Sequence, residues 1–299
     1  MASVTTNMDI NVLANITLES LKVGLQPLTK WSTGFRSDAR QNDSAKVFVN
    51  SMTLDASDFD VATNNYEDSG DDTTIGVDVA LSDKIKKTAF VDEEDYSKID
   101  IQAKLRDLGY AVANEAVKRT YDKLVVASFG AGKAVGASSA FTFDDLVDLE
   151  VDADDAGLDD NRVCLLANTY MANLKKDNLL VATMQQENAP NSSWKAFEEI
   201  AGFEILKSSV FKSSTPATGE NVIGFYTDSS ALGLAMGTPA YTGQDDGGVE
   251  VATVMDESGI GIQLRRHYSR KDGRWYLNAV MLFGTEILRA DGLKLLTSV

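Results

Sequence analysis

No Lys or Arg stands between Lys46 and Lys84, yet that stretch carries Asp55, Asp58, Asp60, Glu67, Asp68, Asp71, Asp72, Asp78 and Asp83. Extended segments flank its acidic middle: residues 45–54, and residues 75–81 with apolar side chains at every second position. The order is an outgoing strand, a polar acidic tip connected through residues 64–72, a returning strand and then an amphipathic helix. An arm of this kind has too little apolar surface to make a core of its own, so it must lie on something else. Another copy of the same chain is the expected support.

The helix is expected over residues 96–129, which at 1.5 Å per residue is roughly 50 Å. Ile101, Leu105, Leu108, Val112 and Ala116 recur at spacings of three and four and so share one face. Tyr110, Ala113, Val117, Tyr121 and Leu124 widen that face, while Asn114, Lys118 and Asp122 with Glu115 and Arg119 line the other side. Gly130 and Gly132 end it. Before the arm, residues 1–44 are rich in Ser, Thr, Asn and Gln, with a short apolar pattern at Ile10, Leu13, Ile16, Leu18 and Leu21. They read as a tethered arm with one or two helical turns.

From Phe141 the pattern turns to compact α/β. Thr142 caps a helix through Leu149, residues 162–167 form a strand, and residues 169–176 a short helix. A further helix at 193–200 stops at Gly202, followed by strands at 203–206, 221–226 and 230–235, with a polar loop at 183–191. The end of the chain is β-rich. Ile260, Ile262 and Leu264 alternate along one strand, and Trp275, Leu277, Ala279 and Met281 along its partner. Between them Lys271, Asp272, Gly273 and Arg274 signal a hairpin, because Asp-Gly suits a type I′ turn.

Composition narrows the function. With 28 Lys+Arg against 45 Asp+Glu the net charge is −17, which opposes wrapping nucleic acid through phosphate contacts. No apolar run approaches a membrane span, and the N-terminal residues do not resemble a secretory signal, so a cytoplasmic chain is expected. Cys164, the single cysteine, cannot form an internal disulfide and reads as core packing.

The chemical motifs fail one by one. Gly130-Ala-Gly-Lys133 lacks the first glycine and the Ser or Thr of a phosphate loop, and it follows a helix. Asp152, Asp154 and Asp155 resemble the start of a calcium loop, but Val163 stands where the bidentate Glu belongs. His267 is the sole histidine, so no site built on two or three histidines exists. No cofactor, metal or catalytic residue is expected, and the chain reads as structural rather than enzymatic.

The element order resembles that of tailed-bacteriophage major capsid proteins. The resemblance is carried by residues 46–49 with the acidic loop, residues 77–95, and the helix bearing Glu115 and Asp122. Residues 197–209, where Gly202 precedes a strand, and the hairpin over 260–288 complete it. It implies an α+β fold: an N-terminal arm at 1–44, an extended β-hairpin loop at 45–95, and a spine helix with peripheral domain at 96–140. An α/β axial domain at 141–245 and peripheral return strands at 246–299 would follow.

The function so implied is a subunit that self-assembles as hexamers and pentamers into an icosahedral virion shell. That shell would enclose double-stranded DNA without sequence-specific binding or membrane contact, and would form in the host bacterial cytoplasm. Some relatives carry a scaffolding segment before the arm, whereas this chain is read as starting at the arm, so a separate scaffolding protein and a portal are the expected partners. The alternatives are an encapsulin-like compartment shell and, from another class, an acidic cytoplasmic enzyme or cation-binding protein.

Two charge anomalies are the candidate inter-subunit contacts. Glu67, Asp68, Asp71 and Asp72 gather at the loop tip, while Arg265, Arg266, Arg270, Lys271 and Arg274 gather around the closing hairpin.

Overall fold

Asp9 opens the first helix by accepting the Asn11 N–H at 3.0 Å, which satisfies a donor that the helix itself leaves unmet. The computed structural model describes residues 9–36, 44–51, 73–92, 100–177, 200–207, 221–240 and 248–298. Helix α1 runs Ile10–Trp31, about 33 Å at 1.5 Å per residue. It is far longer than the one or two turns expected of an arm. Leu21, Leu25, Leu28 and Trp31 continue the buried stripe begun by Leu13 and Ala14, and each of these four is fully buried. Pro27 lies inside the helix, but the apolar stripe runs past it and the tertiary packing outweighs the break.

Helix α2, Ile101–Tyr121, packs along α1. It is shorter than the expected spine. Asp100 caps it through the Gln102 and Ala103 N–H groups at 2.9 and 3.2 Å. The chain leaves the helix at Asp122 and re-forms only the short α3, Val126–Phe129. Buried Leu124 lies in the break, where it joins the core. The assigned apolar face holds, with Ile101, Leu105, Leu108, Val112 and Ala116 all buried, whereas Tyr110 is 41% exposed. Contact with α1 is close because Gly109 has no side chain. A Cβ there would sit 2.0 Å from Ser20 Oγ and 2.4 Å from the Thr17 carbonyl.

Two strands, β2 (Ser44–Ser51) and β3 (Thr73–Ala80), pair antiparallel from Ser44 opposite Ala80 to Ser51 opposite Thr73. They are the expected out-and-back arm, and its tip at 52–72 lies outside the described residues. The return ends sooner than expected. Strand β4, Asp83–Asp92, is not loop but pairs over all ten residues with the long strand β12, Arg274–Ile287.

The larger sheet also takes β1 (Thr33–Arg36), β9 (Leu232–Gly237), β10 (Val249–Met255) and β11 (Gly261–Ser269). The smaller sheet runs β5 (Lys133–Val135), β13 (Leu293–Ser298), β8 (Val222–Thr227), β6 (Arg162–Leu166) and β7 (Phe203–Lys207). The successive strands β8 and β9, expected to close one region, therefore part into different sheets.

Strand β6 is buried on both faces. Val163 and Leu165 enter the core shared with α1 and α2, while Cys164 and Leu166 enter a second core. That second core lies under α4 (Phe143–Asp155) and α5 (Asn168–Leu174). Helix α4 outruns the expected end at Leu149, and its Thr142 N–H donates to Asp145 Oδ2 at 2.7 Å. Trp31, at the end of α1, stacks 5.8 Å from Tyr121 of α2 and lies edge-on to Phe225 of β8 at 4.8 Å. The helix and loop expected at 193–199 and 183–191 lie outside the described residues.

Candidate assembly surface

Alternation along β4, β11 and β12 gives the larger sheet two unlike faces. Ile85, Ile262, Leu264, Leu277, Ala279 and Met281 point into the core beneath the helices. The opposite face carries Lys84, Lys86, Thr88 and Phe90 on β4, Arg265 and His267 on β11, and Arg274, Tyr276 and Asn278 on β12. Cross-strand contacts order it: Thr88 Oγ1 donates to Asn278 Oδ1 at 2.5 Å, and His267 stacks on Tyr276 at 5.2 Å.

The structure divides the basic cluster read from the sequence. Arg266 lies on the core-side face, buried, in an ion pair with Glu250 and 6.0 Å from the Trp275 ring. Arg274 pairs with Asp92 at 2.5 Å and lies 4.5 Å over the Phe90 ring. The hydrogen bond to Asp92 holds its pKa above the ordinary arginine value. Arg270 and Lys271 are exposed in the connection between β11 and β12.

That connection is not a two-residue type I′ turn. Ser269 pairs with Arg274 across a four-residue loop, and only Gly273 there has positive φ, at 63°. A type I′ turn needs two such residues. Ser269 Oγ bonds Asp272 Oδ2 at 3.0 Å instead.

Arg265 joins two cations that the sequence reading passed over. With Lys84 and Lys86 it lines a recess of about 480 Å³ whose other walls are Asn278 and Val280. The missed signal was Lys84-Ile85-Lys86, in which an apolar residue between two lysines marks a strand with one basic face. Glu67, Asp68, Asp71 and Asp72 lie outside the described residues.

The root of the hairpin is fixed to this sheet. Val79 and Leu81 are fully buried with Ala235 and Leu282. Beside them Arg119 binds Asp83 at 3.0 Å and Glu115 at 3.2 Å. Burial would lower the Arg119 pKa, but its hydrogen bonds to Asp83 and Glu115 carry it above the ordinary value.

Among the described residues no group of three or more His, Cys, Asp or Glu side chains is placed to hold a metal ion. No described helix is long and apolar enough to cross a membrane. Burial pushes the Cys164 thiol up to about 12, which keeps it protonated and inert.

No family model and no curated protein matches the sequence. Solved structures do match. The capsid of the cyanophage P-SCSP1u is 15% identical, with TM-score 0.57 over 91% of this chain and 88% of that one. The mature capsid of bacteriophage PhiM1 is 12% identical, with TM-score 0.52 over 90% and 86%. The capsid of a native GTA particle is 12% identical, with TM-score 0.50 over 91% and 89%. Over some nine-tenths of its length, then, this chain has the α+β fold of the tailed-phage capsid proteins.

Proposed function

We propose that this chain is the major capsid protein of a tailed bacteriophage. It self-assembles as hexamers and pentamers into an icosahedral shell around double-stranded DNA, in the host bacterial cytoplasm, with a separate scaffolding protein and a portal. In this reading α1 belongs to the N-terminal arm, β2 and β3 form the extended loop, and α2 is the spine. The larger sheet is peripheral and the smaller one axial. Its role is mechanical, and no catalytic step is assigned to it.

One observation carries the reading. The chain matches capsid structures over about nine-tenths of its length, and its described part includes a two-stranded hairpin whose root is packed on the body. Such a hairpin gains from a neighbour's surface, as an acidic arm with little apolar area of its own must.

The charges around the closing hairpin fit the same reading. Arg266 and Arg274 are engaged with carboxylates of their own chain, so Arg270 and Lys271 are the groups best placed to meet a neighbour's Glu67, Asp68, Asp71 and Asp72. Exposed pairs contribute about 0–1 kcal/mol each, but repetition in every subunit lets weak pairs bias assembly.

Sedimentation of the purified chain tests the proposal. Particles or capsomers far larger than the 32.3 kDa subunit are expected, and a monomer or small oligomer under all assembly conditions would refute it. Within such particles, Asp71→Lys with Asp72→Lys should impair assembly, and Arg270→Glu with Lys271→Glu in the same chain should partly restore it.

A further inference from the structure

Opposite the core, the larger sheet holds a recess of about 480 Å³ with Asn278 and Val280 of β12 as its floor. Lys84 and Lys86 of β4 form one wall and Arg265 of β11 the other. The two walls are two strand spacings apart, roughly 9–10 Å, and the floor side chains are shorter than those of the walls.

The polar groups that line this recess are donors. The ammonium groups of Lys84 and Lys86 have no ion-pair partner among the described residues. Asn278 Oδ1 accepts from Thr88 Oγ1 at 2.5 Å, so Nδ2 is the end of that amide left to donate. No carboxylate is among the lining residues. The two acids of β4 are held elsewhere, Asp83 by Arg119 at 3.0 Å and Asp92 by Arg274 at 2.5 Å.

Arg265 is fixed by a buried neighbour on its own strand. Its Nε donates to Gln263 Oε1 at 2.8 Å. Gln263 is fully buried, and its Nε2 donates to the Pro239 carbonyl at 3.0 Å and to Thr253 Oγ1 at 3.2 Å. A guanidinium anchored in this way loses less freedom when a ligand arrives.

We propose that the recess binds a tetrahedral oxyanion of the inorganic phosphate class. Three positive charges suit a doubly charged ion, and donors set on two walls and a floor meet oxygens at several corners of a tetrahedron. A lone carboxylate carries one charge and two oxygens in one plane, so it satisfies fewer of them. On a chain of net charge −17, a cationic hollow also concentrates anions by its local field. The site needs no second copy of the chain, so it stands or falls apart from the shell reading.

Calorimetric titration of inorganic phosphate into the purified chain, at constant ionic strength, tests the site. One saturable site per subunit is expected. Lys84→Gln with Lys86→Gln should weaken binding about tenfold or more, with an unchanged denaturation midpoint because both residues are exposed. Arg106→Gln with Lys118→Gln, an equal change of charge at exposed positions of α2, should leave binding unaltered. Arg265→Lys keeps the charge but loses the anchor on Gln263, and it should also weaken binding.

Absence of saturable binding overturns the proposal, and so does an equal loss in the two charge-matched pairs. Displacement of phosphate by acetate at equal concentration would show that the recess takes any anion, which contradicts the assigned class. If phosphate fails to bind and the β4 variant instead loses salt-sensitive binding of duplex DNA, the recess belongs to nucleic acid and the proposal is wrong. Failure of the unmodified protein to form large particles would remove the shell reading alone.

Discussion

At the scale of single residues, Gly109 carries the tightest packing requirement. Its missing Cβ lets α2 approach the Thr17 carbonyl of α1, so Gly109→Ala should destabilise the subunit by roughly 1–3 kcal/mol through overpacking. Gly34, with nothing within 4 Å of an added Cβ, is the control and should tolerate alanine. Denaturant midpoints of the two variants decide the matter. Leu108→Ala should cost roughly 2–5 kcal/mol as a core truncation, against little for Lys118→Ala on the exposed face. Equal effects would refute the assigned face of α2.

Cys164 gives a pH signature. Its pKa rises in the folded state from 9.0 to about 12 by burial. Below about pH 9 both states hold the proton and stability is unaffected. As pH rises from 9 toward 12 only the unfolded chain ionises, so stability falls across that window. A thiol-reactive dye should label native protein slowly at pH 8 and denatured protein at once; fast labelling of the native chain would contradict the burial.

At the scale of elements, what the sequence made legible followed from periodicity. The apolar face of α2, the alternation of β11 and β12, and the pairing of β2 with β3 all repeat with the period of their element. The misses have physical causes. Past Leu21 the stripe of α1 is carried by Leu25, Leu28 and Trp31 among polar residues and Pro27, and the partner that makes burial worthwhile is α2, far along the chain. Strand β4 is hidden because only Ile85 and Val91 are buried along it, with the exposed Lys84, Lys86 and Lys87 obscuring them.

The parting of β8 and β9 could not be read locally. Both strands are fully buried, and which sheet receives each depends on β12 and β13 at the end of the chain. For the candidate surface, the Arg-rich hairpin was visible, but which arginines were already engaged depended on Glu250 and Asp92 across the strands. Leu81 tests the element view. Leu81→Ala should speed amide exchange in β2 and β3 more than in β8, since its pocket with Ala235 and Leu282 secures the hairpin root. Uniform acceleration throughout the chain would show that the hairpin is not a separate unit.

At the scale of the whole molecule, the charge of −17 and the capsid fold work in the same direction. In the proposed function the shell confines DNA, and it gains by not adhering to a genome that must later leave. Isolated subunits should therefore bind duplex DNA weakly or not at all at physiological salt, and submicromolar, salt-sensitive binding would contradict this.

Self-assembly is the central claim, and electron microscopy of the purified chain under assembly conditions tests it most directly. The account predicts closed, icosahedral shells or their capsomers. A field of uniform monomers or small oligomers, from protein shown to be folded, would contradict it.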